Sequence, residues 1–173
     1  MIYRILGSTG LKASVIGLGT WQFGGEWGTD FTQSIVDGII DTARGTGINF
    51  IDTAECYGDH LSEKLLGGAI RRDREKWIVA TKFGHHYSVP FERDQHWGAD
   101  LVKKQLEESL LALRTDYIDL YQFHSGTNEA FDNEELWNML SREKERGVIR
   151  HLGISISPNT NTYQTERATA VGA

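Results

Sequence analysis

What most constrains this chain is an alternation. Short apolar runs that stop abruptly at a polar or charged residue are separated by stretches whose apolar residues recur at helical spacing. The runs are Val15 to Trp21, the stretch opening at Asn49, Trp77 to Ala80, Tyr117 to Phe123 and Ile149 to Ile154. Between them, Ile35, Val36, Ile39, Ile40 and Ala43 form one stripe, and Leu65, Leu66, Ala69 and Ile70 a second. Val102, Leu106, Leu110 and Leu113 form a third, and Leu136, Met139 and Leu140 a fourth. Such spacing predicts helices alternating with strands. Strand–helix alternation without hairpin signals between the core strands implies a parallel sheet with right-handed crossovers.

Local signals place the boundaries. Tyr3 to Leu6 and Lys12 to Ile16 flank Gly-Ser-Thr-Gly and read as a hairpin. Thr32 to Gly45 reads as the first helix, Ser62 as a cap for the second, and Asp132-x-x-Glu135 as a capping-box start for the fourth, which Gly147 stops. Gly84 to Ala99 has no periodicity and reads as a long surface loop, and Pro158 to Ala173 has room for one more helix. Gly17-x-Gly19 suggests a dinucleotide fingerprint, but the third glycine would fall on Gln22, so that motif fails. Two architectures suit the alternation: an open doubly wound sheet, or part of a closed eight-stranded barrel, which needs about 250 residues.

With 173 residues the chain reads as one domain, residues 1–173. Its 18 Lys plus Arg against 24 Asp plus Glu, net −6, disfavours a nucleic-acid or anionic-membrane surface. A single cysteine, Cys56, forms no internal disulfide. Without a signal-like amino terminus or a long apolar span, the expectation is a soluble cytoplasmic protein.

Loops that follow parallel strands share one face of a sheet, so Asp52, Tyr57, Lys82, His124 and Ser155 should converge. Taken singly, Asp52 could cap a turn, Lys82 be solvated and His124 be a hydrogen-bonded strand end. Their recurrence at one topological position points instead to proton transfer at a substrate oxygen. An ammonium about 4 Å from a phenol, at an effective dielectric near 20, favours phenolate by roughly 4 kcal/mol. That corresponds to about 3 pKa units, and on this argument Lys82 should lower the pKa of Tyr57 into a useful range. Asp52 would hold Lys82, and His124 would donate to the same oxygen.

These residues carry a resemblance to the aldo-keto reductase family. The matching pieces are Leu6-Gly-Ser-Thr-Gly-Leu-Lys-Ala-Ser, Gly17-Leu-Gly-Thr-Trp21, Asp52-Thr-Ala-x-x-Tyr57-Gly, Ala80-Thr-Lys82, Tyr117-Ile-Asp-Leu-Tyr-Gln-Phe-His124 and Gly153-Ile-Ser155. The resemblance implies a (β/α)8 TIM barrel closed below by a β-hairpin, here about five parallel strands of it. It implies NADPH or NADP as cofactor, with an aldehyde or ketone reduced to an alcohol. It makes Tyr57 the general acid within a catalytic group of Asp52, Tyr57, Lys82 and His124. It also places Gly19, Thr20, Asp52 and Ser155 at the cofactor, and Trp21, Tyr57 and His124 at the substrate.

Where family members commonly carry asparagine, residue 156 is isoleucine. Strands 6 to 8 of the family barrel, with their phosphate-binding loops, have no counterpart in this sequence. The expectation is therefore a chain truncated after strand 5 and its following segment, with about half of a cofactor site and edges that self-associate. The alternative function is a catalytically silent half-barrel with a binding, regulatory or fragment-complementing role. His60, His85, His86, His96 and Cys56 match no metal-ligand spacing, so no metal is expected. Glu55, inside the key loop, is expected at the surface.

Overall fold

The computed structural model describes residues 1–156 and 162–173. Five strands form one parallel sheet: β3 (Leu18–Gly19), β4 (Phe50–Asp52), β5 (Ile78–Phe83), β8 (Ile118–His124) and β9 (Ile149–Ser155), adjacent in that order. Helices α1 (Gln33–Thr46), α2 (Leu61–Ile70), α3 (Ala99–Leu113) and α5 (Glu134–Glu145) connect them, with a single-turn α4 (Asn128–Phe131) before α5.

The helices all cover one face. Along β8, Tyr121 and Phe123 are fully buried beneath the helices, whereas Leu120, Gln122 and His124, pointing the other way, are half-buried. A doubly wound sheet would bury both faces. A sheet with neighbouring helices on one side and half-covered residues on the other is an arc of a barrel. Its core joins Val36 and Ile40 of α1, Leu66 and Ile70 of α2, Leu106 of α3 and Leu136 and Leu140 of α5 to Ile51, Val79, Ile118 and Ile149 of the strands.

The amino-terminal hairpin pairs β1 (Tyr3–Ile5) with β2 (Lys12–Ser14). Asn49 ties it to the sheet, accepting from the Ser14 backbone N–H at 2.7 Å and donating to the Lys12 carbonyl at 2.9 Å. The amino ends of the strands carry a second tie: buried Asp119 accepts from Arg74, Arg150 and the Val79 N–H.

Several boundaries differ from the sequence reading. The strand expected over Val15 to Trp21 is reduced to Leu18–Gly19; the Thr20 N–H on the Asp52 carbonyl is the last bond of this pairing, and Trp21–Gly24 turns into a 3-10 helix. Ser62 lies inside α2, fully buried, donating to the Thr20 carbonyl; the cap position is His60. Asn133 rather than Asp132 caps α5, accepting from the Leu136 N–H.

The segment read as an irregular loop from Gly84 to Ala99 contains a hairpin, β6 (His85–Val89) with β7 (Glu92–Gln95). Most of its residues are polar, and Val89 and Phe91 are exposed, so no buried apolar alternation marks it. Of the last segment, Thr162–Arg167 forms α6 and Ala168–Val171 a 3-10 turn, while residues 158–161 lie outside the described residues.

Candidate active site

The register of the parallel strands aligns the site. Gly19 pairs with Asp52, and Asp52 with Ala80, so Lys82 stands one side-chain repeat further up β5 on the same face as Asp52. The Lys82 ammonium donates to Asp52 Oδ1 at 2.7 Å, to the Thr53 carbonyl at 2.7 Å and to the Tyr57 hydroxyl at 3.3 Å. The lysine side chain is 5% exposed and that of Asp52 39%, so the buried charge is matched by a carboxylate that water also reaches.

Tyr57 is held by an unusual backbone. Gly58, Asp59 and His60 follow it with φ of 65°, 52° and 62°, and left-handed geometry costs roughly 1–2 kcal/mol at each non-glycine residue. Closure comes from the His60 N–H on the Glu55 carbonyl at 2.8 Å, the Ser62 N–H on the Tyr57 carbonyl at 3.2 Å, and the His60 imidazole on Glu63 at 2.5 Å. Gly24 packs against this turn with no room for a side chain: a Cβ on it would lie 2.6 Å from the Tyr57 carbonyl carbon, and one on Gly58 2.2 Å from the Gly24 oxygen. The glycine after Tyr57 therefore serves both the turn and the close approach.

Electrostatics correct one expectation. Burial pushes the Tyr57 phenol above its ordinary value, and Lys82 only partly opposes this. The shift is upward because desolvation of the phenolate outweighs the lysine charge, and the nearby Asp52 carboxylate adds to it. Burial also works against the charge on Lys82, but Asp52 and Tyr57 together outweigh it and hold the ammonium above its usual range. The site thus presents a neutral phenol bonded to a firm cation. Such a phenol keeps its proton until a neighbouring oxygen develops negative charge.

His124 stands at the end of β8 with its imidazole depressed to about 3 by burial, then by His85, Lys82 and Arg93. It is a neutral ring with one N–H to donate. Its Nδ1 lies 4.0 Å from Cys56 Sγ, and its ring stacks on His85 at 4.4 Å. Glu55 is not at the surface: it is 2% exposed, accepts from the His85 N–H at 3.0 Å, and leaves Oε2 without a partner. Burial and the charge of Glu63 raise it to about 7.

The β6–β7 hairpin supplies a wall that sequence reasoning missed. Glu26, just after the 3-10 turn, is 7% exposed. It accepts from both Arg93 and the Phe91 N–H, and Trp21 Nε1 donates to it at 3.2 Å. Burial opposes its ionisation, yet these bonds hold it below the usual carboxylate range. The only local signal was Pro90 with Phe91, whose φ of 66° marks a turn; the partner lies 65 residues away in sequence. Together Trp21, Cys56, Tyr57, His85, Phe91, Arg93 and His124 line a cleft of about 330 Å³. Trp21 faces Tyr57 across 6.0 Å.

The residues expected near a cofactor lie along the same strand ends. Gly19 has open space where a Cβ would stand, and Ser155 pairs with His124 in register. Thr20 is fully buried, its hydroxyl donating to the Asp52 carbonyl at 3.1 Å and accepting from Ser62, so it braces the site from beneath. Gln122, missed in the sequence, has a buried side-chain nitrogen without a partner. Of the scattered histidines, His60 belongs to the Tyr57 turn and His86 pairs with His96, while His85 and Cys56 meet His124.

The chain is similar to known proteins over most of its length. The model described as "Aldo/keto reductase family" matches residues 15–172. An uncharacterised oxidoreductase of Bacillus subtilis, YqkF, is 39% identical over 160 residues, covering 90% of this chain and 49% of its own length. L-galactose dehydrogenase of Arabidopsis thaliana is 36% identical, covering 95% of this chain and 51% of its own. The solved aldo-keto reductase AKR11C1 from Bacillus halodurans, in its holo form, superposes with a TM-score of 0.83 at 33% identity, over 96% of this chain and 54% of that one. The chain spans about half the length of the curated relatives it matches. Among the described residues, no helix is long and apolar enough to cross a membrane.

Proposed function

The chain belongs to the aldo/keto reductase family, and from that premise we propose that its cleft reduces the carbonyl group of an aldehyde or ketone, with Tyr57 as general acid and NADPH as hydride source. The observation that carries this reading is Lys82 Nζ, held between Asp52 Oδ1 at 2.7 Å and the Tyr57 hydroxyl at 3.3 Å.

A reduced nicotinamide, when bound, supplies the hydride. Its ring end fits the strand ends: Gly19 leaves space for a flat group to approach, and Ser155 and the unpartnered Gln122 amide offer bonds to a carboxamide. The phosphate end has less support among the described residues, because the cations of the cleft, Lys82 and Arg93, already hold Asp52 and Glu26.

The rest is acid–base work by this chain's own side chains. A carbonyl oxygen entering between Trp21 and His124 meets the Tyr57 hydroxyl. The His124 N–H donates to it and stabilises the charge that grows as the carbonyl carbon is reduced. Tyr57 gives up its proton as that charge appears, and the phenolate left behind is stabilised by Lys82, which Asp52 keeps charged. Water regains access through the exposed side of Asp52 and restores the phenol. The raised pKa of Tyr57 suits an acid that must stay protonated at neutral pH.

NADPH fluorescence titration followed by oxidation with a test aldehyde checks this reading. Saturable binding and turnover sensitive to Tyr57→Phe support it; absence of binding at millimolar cofactor would eliminate catalysis by the chain on its own. A second reading, of a binding or fragment-complementing role, is favoured by the sheet edges. Among the described residues, strands β3 and β9 each have one neighbour in the sheet, and Ile2, Ile5, Val15 and Ile16 of the hairpin region are exposed. Such edges and apolar groups favour self-association. A monomer by light scattering at working concentration would count against it.

A further inference from the structure

Three side chains from separate elements meet on one wall of the cleft: Cys56 from the turn before Tyr57, His85 from β6 and His124 from the end of β8. We propose that Cys56, His85 and His124 form a binding site for a borderline-soft divalent cation of the zinc type, and that its occupancy blocks the cleft. The proposal goes beyond carbonyl reduction and requires only that the cleft be folded.

One potential ligand atom from each residue lies within 4.8 Å of the other two, and Cys56 Sγ is 4.0 Å from His124 Nδ1. Tetrahedral zinc, with Zn–S about 2.3 Å and Zn–N about 2.0–2.1 Å, sets its ligand atoms roughly 3.3–3.6 Å apart. The sulfur–nitrogen pair therefore closes by about 0.5 Å and the widest pair by about 1.3 Å to satisfy the ion. The two imidazoles stack at 4.4 Å with 17° between planes. A side-chain rotation that splays them turns their nitrogens toward a shared point.

The donor set selects the class of ion. One thiolate and two imidazoles suit zinc and its neighbours, whereas magnesium and calcium take oxygen ligands. Three protein ligands leave the fourth position open toward the cleft, where a water or a substrate oxygen completes the coordination.

Local charge permits a cation. Lys82 and Arg93 both approach the site, but each is paired with its own carboxylate, at 2.7 Å for Asp52 and 2.5 Å for Glu26. Burial pushes the Cys56 thiol up to about 12 and Arg93 beside the sulfur only partly opposes this, so the thiolate forms as the ion binds, with release of the thiol proton. Binding would draw off His124 and place an ion where the carbonyl oxygen is expected, so the ion and the substrate compete.

The test uses cobalt as a spectroscopic stand-in for zinc on the purified, thiol-reduced chain. Co²⁺ should bind one equivalent with a sulfur-to-cobalt charge-transfer band and the intense visible bands of four-coordinate cobalt. Zn²⁺ should displace it. Cys56→Ser should abolish the charge-transfer band, and His85→Gln should weaken affinity by more than the ~10–100-fold that loss of an outer-shell partner costs a metal site. The double variant His86→Ala/His96→Ala, which removes the other histidine pair, should bind unchanged. Far-UV circular dichroism identifies variants that have not folded, and His85→Gln carries the test if Cys56→Ser is among them. No charge-transfer band in the parent chain, an unchanged band in Cys56→Ser, or binding lost only in the His86/His96 variant would overturn the proposal.

Discussion

The two ends of the parallel sheet each hold a basic side chain against an aspartate, and the difference between them shows which is committed to the fold and which keeps capacity for chemistry. At the amino end, Asp119 is 1% exposed and both its oxygens are occupied: Oδ1 by Arg150 at 2.7 Å, Oδ2 by Arg74 at 2.8 Å and the Val79 N–H at 3.0 Å. The Tyr117 ring lies against both guanidiniums, at 4.3 Å and 3.8 Å from its centroid. At the carboxyl end, Lys82 bridges Asp52 and Tyr57, but the phenol faces an open cleft and Asp52 is partly wet. Glu55 nearby is buried with one oxygen unpartnered. Groups left with unused donors and acceptors are costly to stability and available to a substrate.

Four substitutions sharpen or break this contrast. The largest effect is expected from Tyr57→Phe, which should lower carbonyl reduction by about 10²–10⁴-fold, the range of a lost general acid. Its urea midpoint should move little, because the hydroxyl makes one bond at 3.3 Å. A large loss of stability instead would place Tyr57 with the amino-end residues.

Asp119→Ala should do the reverse, costing about 3–5 kcal/mol in urea unfolding by leaving Arg74 charged and buried. Its turnover per folded molecule should stay near that of the parent.

Glu55→Gln tests the cost at the carboxyl end. Burial raises this carboxyl from 4.5 to about 7. A group whose folded value is raised contributes stability that is fully present below 4.5 and is lost as pH rises through 7. The glutamine variant should therefore gain on the parent above pH 7, by an amount on the order of 3 kcal/mol, and show no gain below pH 4.5. Thermal melts at pH 4 and pH 8 measure this, and equal differences at both would refute it.

The smallest effect should come from Arg150→Met. Its side chain is 46% exposed and Asp119 retains Arg74, so a loss of about 1 kcal/mol is expected by urea titration.

Strand-end residues were legible in the sequence because a parallel strand delivers its last side chains to a common face; Asp52, Lys82, His124 and Ser155 needed only the alternation to be placed together. Glu26 and Arg93 were not legible, since Glu26 lies outside any regular element and Arg93 sits on a short strand without apolar alternation. Their pairing spans 67 residues and follows from how the β6–β7 hairpin folds over the 3-10 turn. Glu55 was misread for a related reason. A carboxylate in a loop is ordinarily solvated, and only the packing of β6 and α2 around it shows otherwise.

For the stretch from Asn49 to Gly58, the sequence by itself determined that an aspartate ends a short apolar strand and a tyrosine follows it in the loop, because hydrophobic periodicity and strand length are local properties. The sign of the tyrosine's pKa shift, the burial of Glu55 and the meeting of Cys56 with His85 and His124 were decided only by the tertiary structure. Desolvation and charge sharing depend on what surrounds a group in three dimensions, and no spacing along the chain encodes that environment.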